Sequence, residues 1–221
     1  MKSALIISGG WEVHEPKQKA ETVRGWLEAE HFEVTVAGSL KAFVENDLKQ
    51  YGVIIPIWSA TADEPLTDEQ VAKVNEAVAR GVGIAGFHSG MFSFASKVNW
   101  QFMTGGHWVA HPGGGKVTYD VNVKKNLDHP ITAGLDNFKV CSEQFYLHVD
   151  PAVSPLASTH FPVADGPHAA NGAVEMPVAF VKKWGRGRVY YCSIGHIADD
   201  IKQEPVSTLI KRGLLWAAHE L

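Results

Sequence analysis

Three of the eleven histidines follow apolar runs that read as buried strands. His14 comes soon after SALIISGG, His88 closes GVGIAGFH, and His196 closes RVYYCSIGH. Imidazole titrates near working pH, so it can move a proton in either direction, and in its neutral form it ligates divalent metals. A carboxylate beside such rings would complete either a general acid–base pair or a metal site. Glu143, in CSEQFY, is the best candidate, because its neighbours have buried character and a buried carboxylate requires a partner. The competing reading of Glu143 is an exposed position on a half-buried strand, which period-two alternation permits.

The segment Gly86-Phe87-His88-Ser89-Gly90 has the outline of the strand-turn-helix elbow on which α/β enzymes mount a nucleophile. Here a histidine takes the central place. An elbow strains its central residue to hold the side chain outward, which favours a functional role for His88 over a packing one. Ser89, one position off centre, reads as an N-cap for the following helix; a hydrolase built on Ser89 is the third alternative. His14 reads equally well as a lead into the helix at Pro16. His107 and His111, in GGHWVAHP, would share a face on a helical turn, a spacing used by metal pairs. Gly105-Gly106 and Pro112 interrupt such a helix, so a ligand-touching loop and a structural loop both stay open. Trp11, Trp58 and Trp108 stand near the same rim and could stack on a ring, whereas Trp26 and Trp216 lie on apolar helix faces.

The elements that must carry these residues alternate cleanly in the first half. SALIIS, HFEVTVAG, YGVIIPIW and GVGIAGF read as strands, with Pro56 marking an irregular strand end. Helices are expected from Pro16 with the stripe Ala20, Val23, Leu27, over Leu40 to Leu48, and in TDEQVAKVNEAVARG. In the last of these, Thr67 and Gln70 form a capping-box pattern and Gly81 ends the helix. Four strands and three helical segments imply βαβ units and a parallel sheet, whose ligands sit beyond the strand carboxyl ends. The second half reads as strands KVTYDVNV and VCSEQFYLHV, then a β-hairpin MPVAFVKKW-GRG-RVYYCSIG. An amphipathic helix from Glu204 to Leu221 closes the chain.

Composition bounds the function. With 221 residues, 45% hydrophobic, the chain is long enough for one sizeable core and is expected to form a single domain over 1–221. A net charge of −4 and no Lys/Arg run argue against nucleic acid and membrane surfaces as partners. No apolar run approaches the roughly 20 residues that span a bilayer. The start MKSALIISGG reads as a first strand, not a signal peptide, and a cytoplasmic protein is the default. Cys141 and Cys192 have no CxxC spacing and imply neither a disulfide framework nor a zinc ribbon. Gly9-Gly10 lacks the full GxGxxG fingerprint, so no nucleotide cofactor is expected.

Taken together, GGWEVHEP, GIAGFHSG, WQFMTGGHWVAHP, DHPIT, SEQFY, MPVAFVKKWGRGRVYYCSIGH and LIKRGLLWAAHEL resemble the ThuA-like, trehalose utilisation family, over nearly the whole chain. The resemblance implies the class I glutamine amidotransferase-like superfamily and a flavodoxin-like, three-layer α/β/α fold with a mainly parallel sheet. That superfamily's amidotransferases carry a cysteine where this chain has His88, which excludes thiol chemistry at that position. The resemblance implies a sugar ligand, a trehalose-like or 3-keto-disaccharide. It marks His14, His88, His107, His111 and His196 as family-like, with Glu143 in an acidic motif that here has lost its first acid to Ser142.

The expected site is therefore catalytic through His88, Glu143 and His196. It binds sugar through Trp11, Trp58, His107, Trp108, His111 and Tyr146. His14, His88, Glu143 and His196 suit a divalent metal such as zinc. A metal-free acid–base enzyme and a non-catalytic sugar-binding or regulatory module are the alternatives. The aromatic-rich second half admits a homo-oligomer.

Overall fold

The computed structural model describes residues 2–59, 65–125, 128–162 and 166–221. In the first half β1 (Ser3–Gly10), β2 (Glu33–Ala37), β3 (Val53–Ser59) and β4 (Gly83–Phe87) alternate with α1 (Pro16–Ala29), α2 (Ala42–Glu45) and α3 (Asp68–Ala79). The capping box forms: Thr67 Oγ1 accepts from Gln70 N at 3.2 Å while Gln70 Oε1 accepts from Thr67 N at 2.8 Å. The helix expected over Leu40 to Leu48 shrinks to the four-residue α2 and a 3-10 turn at Leu48–Gln50.

Pro56 stands inside β3, paired with Ile7 of β1. The irregularity it brings falls on the other side, where the β3–β4 ladder stops after Ile54↔Ile84. The strands part there, and α4 (Ser89–Phe92) packs into the opening. A Cβ on Gly90 would lie 2.2 Å from the Pro56 carbonyl oxygen, and one on Gly86 2.5 Å from Met91 Cγ. Both glycines of the elbow are thus dictated by close approach.

The remaining elements are α5 (Val98–Thr104), β5 (Gly106–Ala110), β6 (Val117–Val123), β7 (Phe138–Ser142), β8 (Tyr146–Val149), β9 (Ser154–Phe161), β10 (Val174–Trp184), β11 (Gly187–Cys192), α6 (Ala198–Lys202) and α7 (Val206–Ala217). Nine strands form one sheet in the order β2-β1-β3-β4-β11-β10-β9-β6-β7. The first five are mutually parallel, and every pairing from β11 to β7 is antiparallel. The sheet is therefore mixed, which corrects the mainly parallel expectation. A parallel pair needs a long crossover, normally helical, and the β6–β10 stretch has no α-helix among its described residues.

Two further readings change. VCSEQFYLHV is two strands broken at Glu143–Phe145, and β7 and β8 belong to different sheets. GGHWVAHP is neither a helix nor a loop up to Ala110 but β5, which pairs with β8 in a two-stranded ribbon. The hairpin of β10 and β11 forms as patterned.

Each face of the large sheet has its own apolar cluster. One packs α1 (Val23, Leu27) and α7 (Leu209, Ile210, Leu214) against Ile6, Ile55 and Tyr190. The other packs Phe43, Val74, Val78, Phe92 and Trp100 against Ile7, Ile54 and Tyr191. Helices thus cover both faces, leaving the strand ends as the place where polar side chains can meet. No described helix is long and apolar enough to cross a membrane.

Candidate functional site

The rim of the parallel half brings together side chains far apart in sequence. His14 ends a 3-10 turn after β1, Ser59 ends β3, His88 and Ser89 follow β4, and His196 follows β11. His14 Nδ1 lies 2.5 Å from Ser59 Oγ, Ser59 Oγ 2.8 Å from Ser89 Oγ, and Ser89 Oγ 3.3 Å from His88 Nδ1. The His14 ring stands edge-on to His88 at 5.0 Å and to His196 at 5.1 Å. His88 has φ 50° and ψ −135°, a strained backbone for a residue with a Cβ. Its N–H donates to the Cys192 carbonyl at 2.7 Å and its carbonyl accepts from Tyr191 Oη at 2.9 Å, which hold the strain in place.

The antiparallel half supplies the acid. Glu143 lies in the break between β7 and β8, 5% exposed. Its carbonyl accepts from Tyr119 Oη at 3.1 Å, and the Gln144 side-chain amide donates to Thr159 Oγ1 at 2.9 Å, so β6 and β9 fix the break from behind. The carboxylate meets three imidazoles. Oε2 accepts from His88 Nε2 at 2.8 Å, while Oε1 lies 3.6 Å from His196 Nε2 and 3.8 Å from His111 Nδ1. Asp200, also buried, accepts from Ser142 Oγ at 2.5 Å and from the His196 N–H at 3.0 Å, tying the segment before Glu143 to His196.

These groups line a cavity of about 700 Å³ whose walls include Trp11, Val13, Phe92, Trp108 and Phe145. That volume lies in the range of small-molecule sites, with few polar groups in an apolar shell. Burial, reinforced by the Lys19 ammonium, pushes the His14 imidazole down to about 4. The same two causes, burial first, hold His88 well below the ordinary imidazole value. Both rings are therefore neutral at working pH, as a metal ligand or a proton acceptor must be. Lys19 is itself pushed down to about 8 by burial, opposed by Asp200, Glu15 and Glu143; its ammonium donates to the Gly195 carbonyl at 3.1 Å.

A family profile described as trehalose utilisation, ThuA, matches residues 3–217. The chain belongs to the ThuA family. Among solved structures, a ThuA-like protein from Parabacteroides merdae superposes with a TM-score of 0.76 at 18% identity, over 99% of this chain and 90% of its own. One from Bacteroides uniformis gives 0.75 at 18%, over 98% and 91%. A β-galactosidase from Bacillus circulans gives 0.58 at 17%, over 99% of this chain but 30% of its own. At these identities the likenesses show the fold alone. No curated protein matches the sequence.

Within this ThuA chain the expected residues divide. Trp11, His14, His88, Trp108, His111, Glu143 and His196 line the cavity. Trp58 does not: it is 3% exposed, packed in the core against Gly9. His107 turns to its own strand, donating from Nδ1 to the Trp108 carbonyl at 2.8 Å, with its ring 5.1 Å from that of His148. Strand alternation and the bulge between Trp108 and Ala110 separate it from His111. Tyr146 is also outside the lining, its hydroxyl 3.0 Å from His168 Nε2. His88 is at the site but wholly buried, so its side chain does not project outward as the elbow implied; it stands beneath Glu143. Ser89 is not the N-cap: His88 holds that place and Ser89 opens the turn. Cys192 is buried, its thiol pushed up to about 12 by burial, and neither cysteine lines the cavity.

The donor set fits a divalent ion. One ligand atom each from His14, Glu143 and His196 lie within 4.8 Å of one another. His111 Nδ1, facing the same carboxylate, is buried and has no hydrogen-bond partner among the described residues. Such an orphaned nitrogen marks a place where something else belongs. His88 is not in the three-residue group; its Nε2 is committed to Glu143, the outer-shell contact that orients a ligating carboxylate. Ser59 and Asp200 were not singled out by sequence reasoning. Ser59 carried only its place at a strand end, and Asp200 carried no local signal.

Proposed function

We propose that this ThuA-family protein is a carbohydrate-directed enzyme, acting on a trehalose-like or 3-keto-disaccharide at the His/Glu cavity, with a divalent metal such as zinc held by His14, Glu143 and His196. The observation that carries the reading is the buried Glu143 carboxylate facing His88, His111 and His196 at one cavity wall. A bound ion there supplies Lewis acidity toward a sugar carbonyl. Trp11, 53% exposed, and Trp108, 38% exposed, offer flat faces on which pyranose rings stack. His111, whose ring lines the cavity beside Glu143, takes the proton from the carbon beside the keto group. The C–H electron pair forms a carbon–carbon double bond, and the carbonyl π pair moves onto its oxygen. Return of that proton to the former carbonyl carbon, while the adjacent hydroxyl passes its own proton to the enolate oxygen and becomes the new carbonyl, gives isomerisation; departure of the β-oxygen, protonated by the same imidazole, gives elimination.

A metal-free version keeps the same residues, with Glu143 Oε1 as base. Proton exchange separates the readings. A 3-keto-disaccharide in D₂O, followed by NMR, should incorporate deuterium beside the keto group, and the exchange should stop with EDTA and return with zinc. Exchange that survives EDTA removes the metal and leaves the acid–base pair. Sugar binding with no exchange in either state would make the protein a sugar-binding module.

A further inference from the structure

The hydrogen bonds linking Glu143 to His14 have a direction, and it follows from one fact at one end. A carboxylate oxygen only accepts, so the 2.8 Å contact to Glu143 Oε2 requires that His88 Nε2 carry the proton. A neutral imidazole has one N–H, so His88 Nδ1 is left as an acceptor. That nitrogen belongs to a ring with no exposure to solvent, and Ser89 Oγ is the hydrogen-bond partner it has, at 3.3 Å. Ser89 must therefore give its hydroxyl proton to His88. Ser89 Oγ then accepts from Ser59 Oγ at 2.8 Å, and Ser59 Oγ accepts from His14 Nδ1 at 2.5 Å, with Ser89 Oγ a second and longer acceptor for the same N–H at 3.3 Å.

The opposite order, in which the serines donate toward His14, would leave His88 Nδ1 buried without a donor. His14 is partly exposed to the cavity and can meet a ligand or water there, so the deficit is costly only at His88. We propose that Ser89 and Ser59 are positioning residues that relay the Glu143 charge to His14, fixing it as the Nδ1–H tautomer with the Nε2 lone pair free for a ligand. Neither the metal-assisted nor the metal-free chemistry above gives these hydroxyls a task. The relay deepens the proposed function and rests on it only for the use of the lone pair; the tautomer itself is a property of the metal-free protein.

The geometry also explains the two small polar residues at strand ends. Ser59 ends β3 where β4 has already parted from it, and Ser89 opens α4 in that gap. A hydroxyl is the one uncharged side-chain group short enough to accept and donate at both places. An imidazole locked in one tautomer by its outer partner is a better-oriented ligand than one free to exchange.

The test is ¹⁵N NMR of the histidine side chains in metal-free protein. In the wild type, His14 should show a protonated Nδ1 and an unprotonated Nε2, in a ratio of about tenfold or more, as one buried hydrogen bond would set. Ser59→Ala should weaken that preference several-fold, because His14 Nδ1 keeps only the longer contact to Ser89 Oγ at 3.3 Å, and Ser89→Ala should reverse it, since the Ser59 proton is then free to turn toward His14. Ser59→Thr, which keeps the hydroxyl, should restore it and guards against simple misfolding. A wild-type His14 protonated at Nε2, or a tautomer ratio unmoved in both alanine variants, overturns the relay. Zinc titration of the same samples tests the proposed function separately: failure to bind with the Nδ1–H tautomer intact removes the metal and leaves the relay standing.

Discussion

The two halves of the sheet contribute to the cavity in different ways. The parallel half delivers His14, Ser59, His88, Ser89 and His196, all at or just past strand carboxyl ends. The antiparallel half and its β5–β8 ribbon deliver Trp108, His111, Glu143 and Phe145, from a strand, the loop after it and a break between strands. One half supplies hydroxyls and imidazoles, of which His14, Ser59, Ser89 and His88 are already joined by hydrogen bonds. The other supplies the acid, an imidazole whose Nδ1 has no hydrogen-bond partner among the described residues, and an aromatic wall. A doubly wound sheet presents its ligand side by rule, because every parallel strand ends on one rim. Antiparallel strands have no common rim, so their contribution depends on a local interruption. In this chain the interruption is Glu143–Phe145.

The sharpest way to break the comparison is to remove the acid on which both halves converge. Glu143→Gln should cut deuterium exchange into the keto-sugar by roughly 10²–10⁴-fold, the range for a group that acts at the reacting atoms. Exchange within a few-fold of wild type would mean that Glu143 contributes no chemistry and that the antiparallel half acts through His111 alone.

A smaller effect separates stability from function inside that half. Lys182 donates to Asp150 Oδ2 at 2.6 Å, away from the cavity, with both side chains largely buried. The hydrogen bond from Lys182, then the one from the Ala152 N–H, holds the Asp150 carboxyl below its ordinary value. A carboxylate whose folded pKa is lowered stabilises the fold above its unfolded pKa of about 3.9. That contribution is lost as pH falls through the lower, folded value. Asp150→Ala should therefore destabilise by about 1.5–3 kcal/mol at pH 7 in urea unfolding, and the difference from wild type should vanish in strong acid. Exchange per folded molecule should not change.

The mildest test compares one aromatic platform from each half. Trp11→Ala and Trp108→Ala should each raise the KM for the disaccharide about two- to tenfold and leave kcat near wild type. Additive effects would place the two rings on separate parts of the sugar. An effect confined to one variant would put the ligand against one half alone.

Much of the parallel half was readable in the residues, and for a definite reason. Continuous apolar runs, the Thr67–Gln70 capping box and GFHSG are local patterns with local causes, and the rule for strand ends then selected His14, His88 and His196. The same rule selected Trp58, which fails because a strand-end side chain can face either the rim or the core; its ring packs on Gly9. His107 and His111 were paired by a helical spacing that β5 does not have. Glu143 was found by its surroundings, although the strand break that exposes it to three imidazoles has no signature in CSEQFY.

By itself, then, the sequence determined the alternation of βα units and the histidines at their ends, since periodicity, capping and glycine placement act over a few residues. Only the tertiary structure decided which hydroxyl faces which imidazole, that Asp200 joins Ser142 to His196, and that half the sheet runs antiparallel. Most of those contacts, such as His14–Ser59, Ser59–Ser89 and Ser142–Asp200, join residues tens of positions apart, and their selection depends on how whole strands pack.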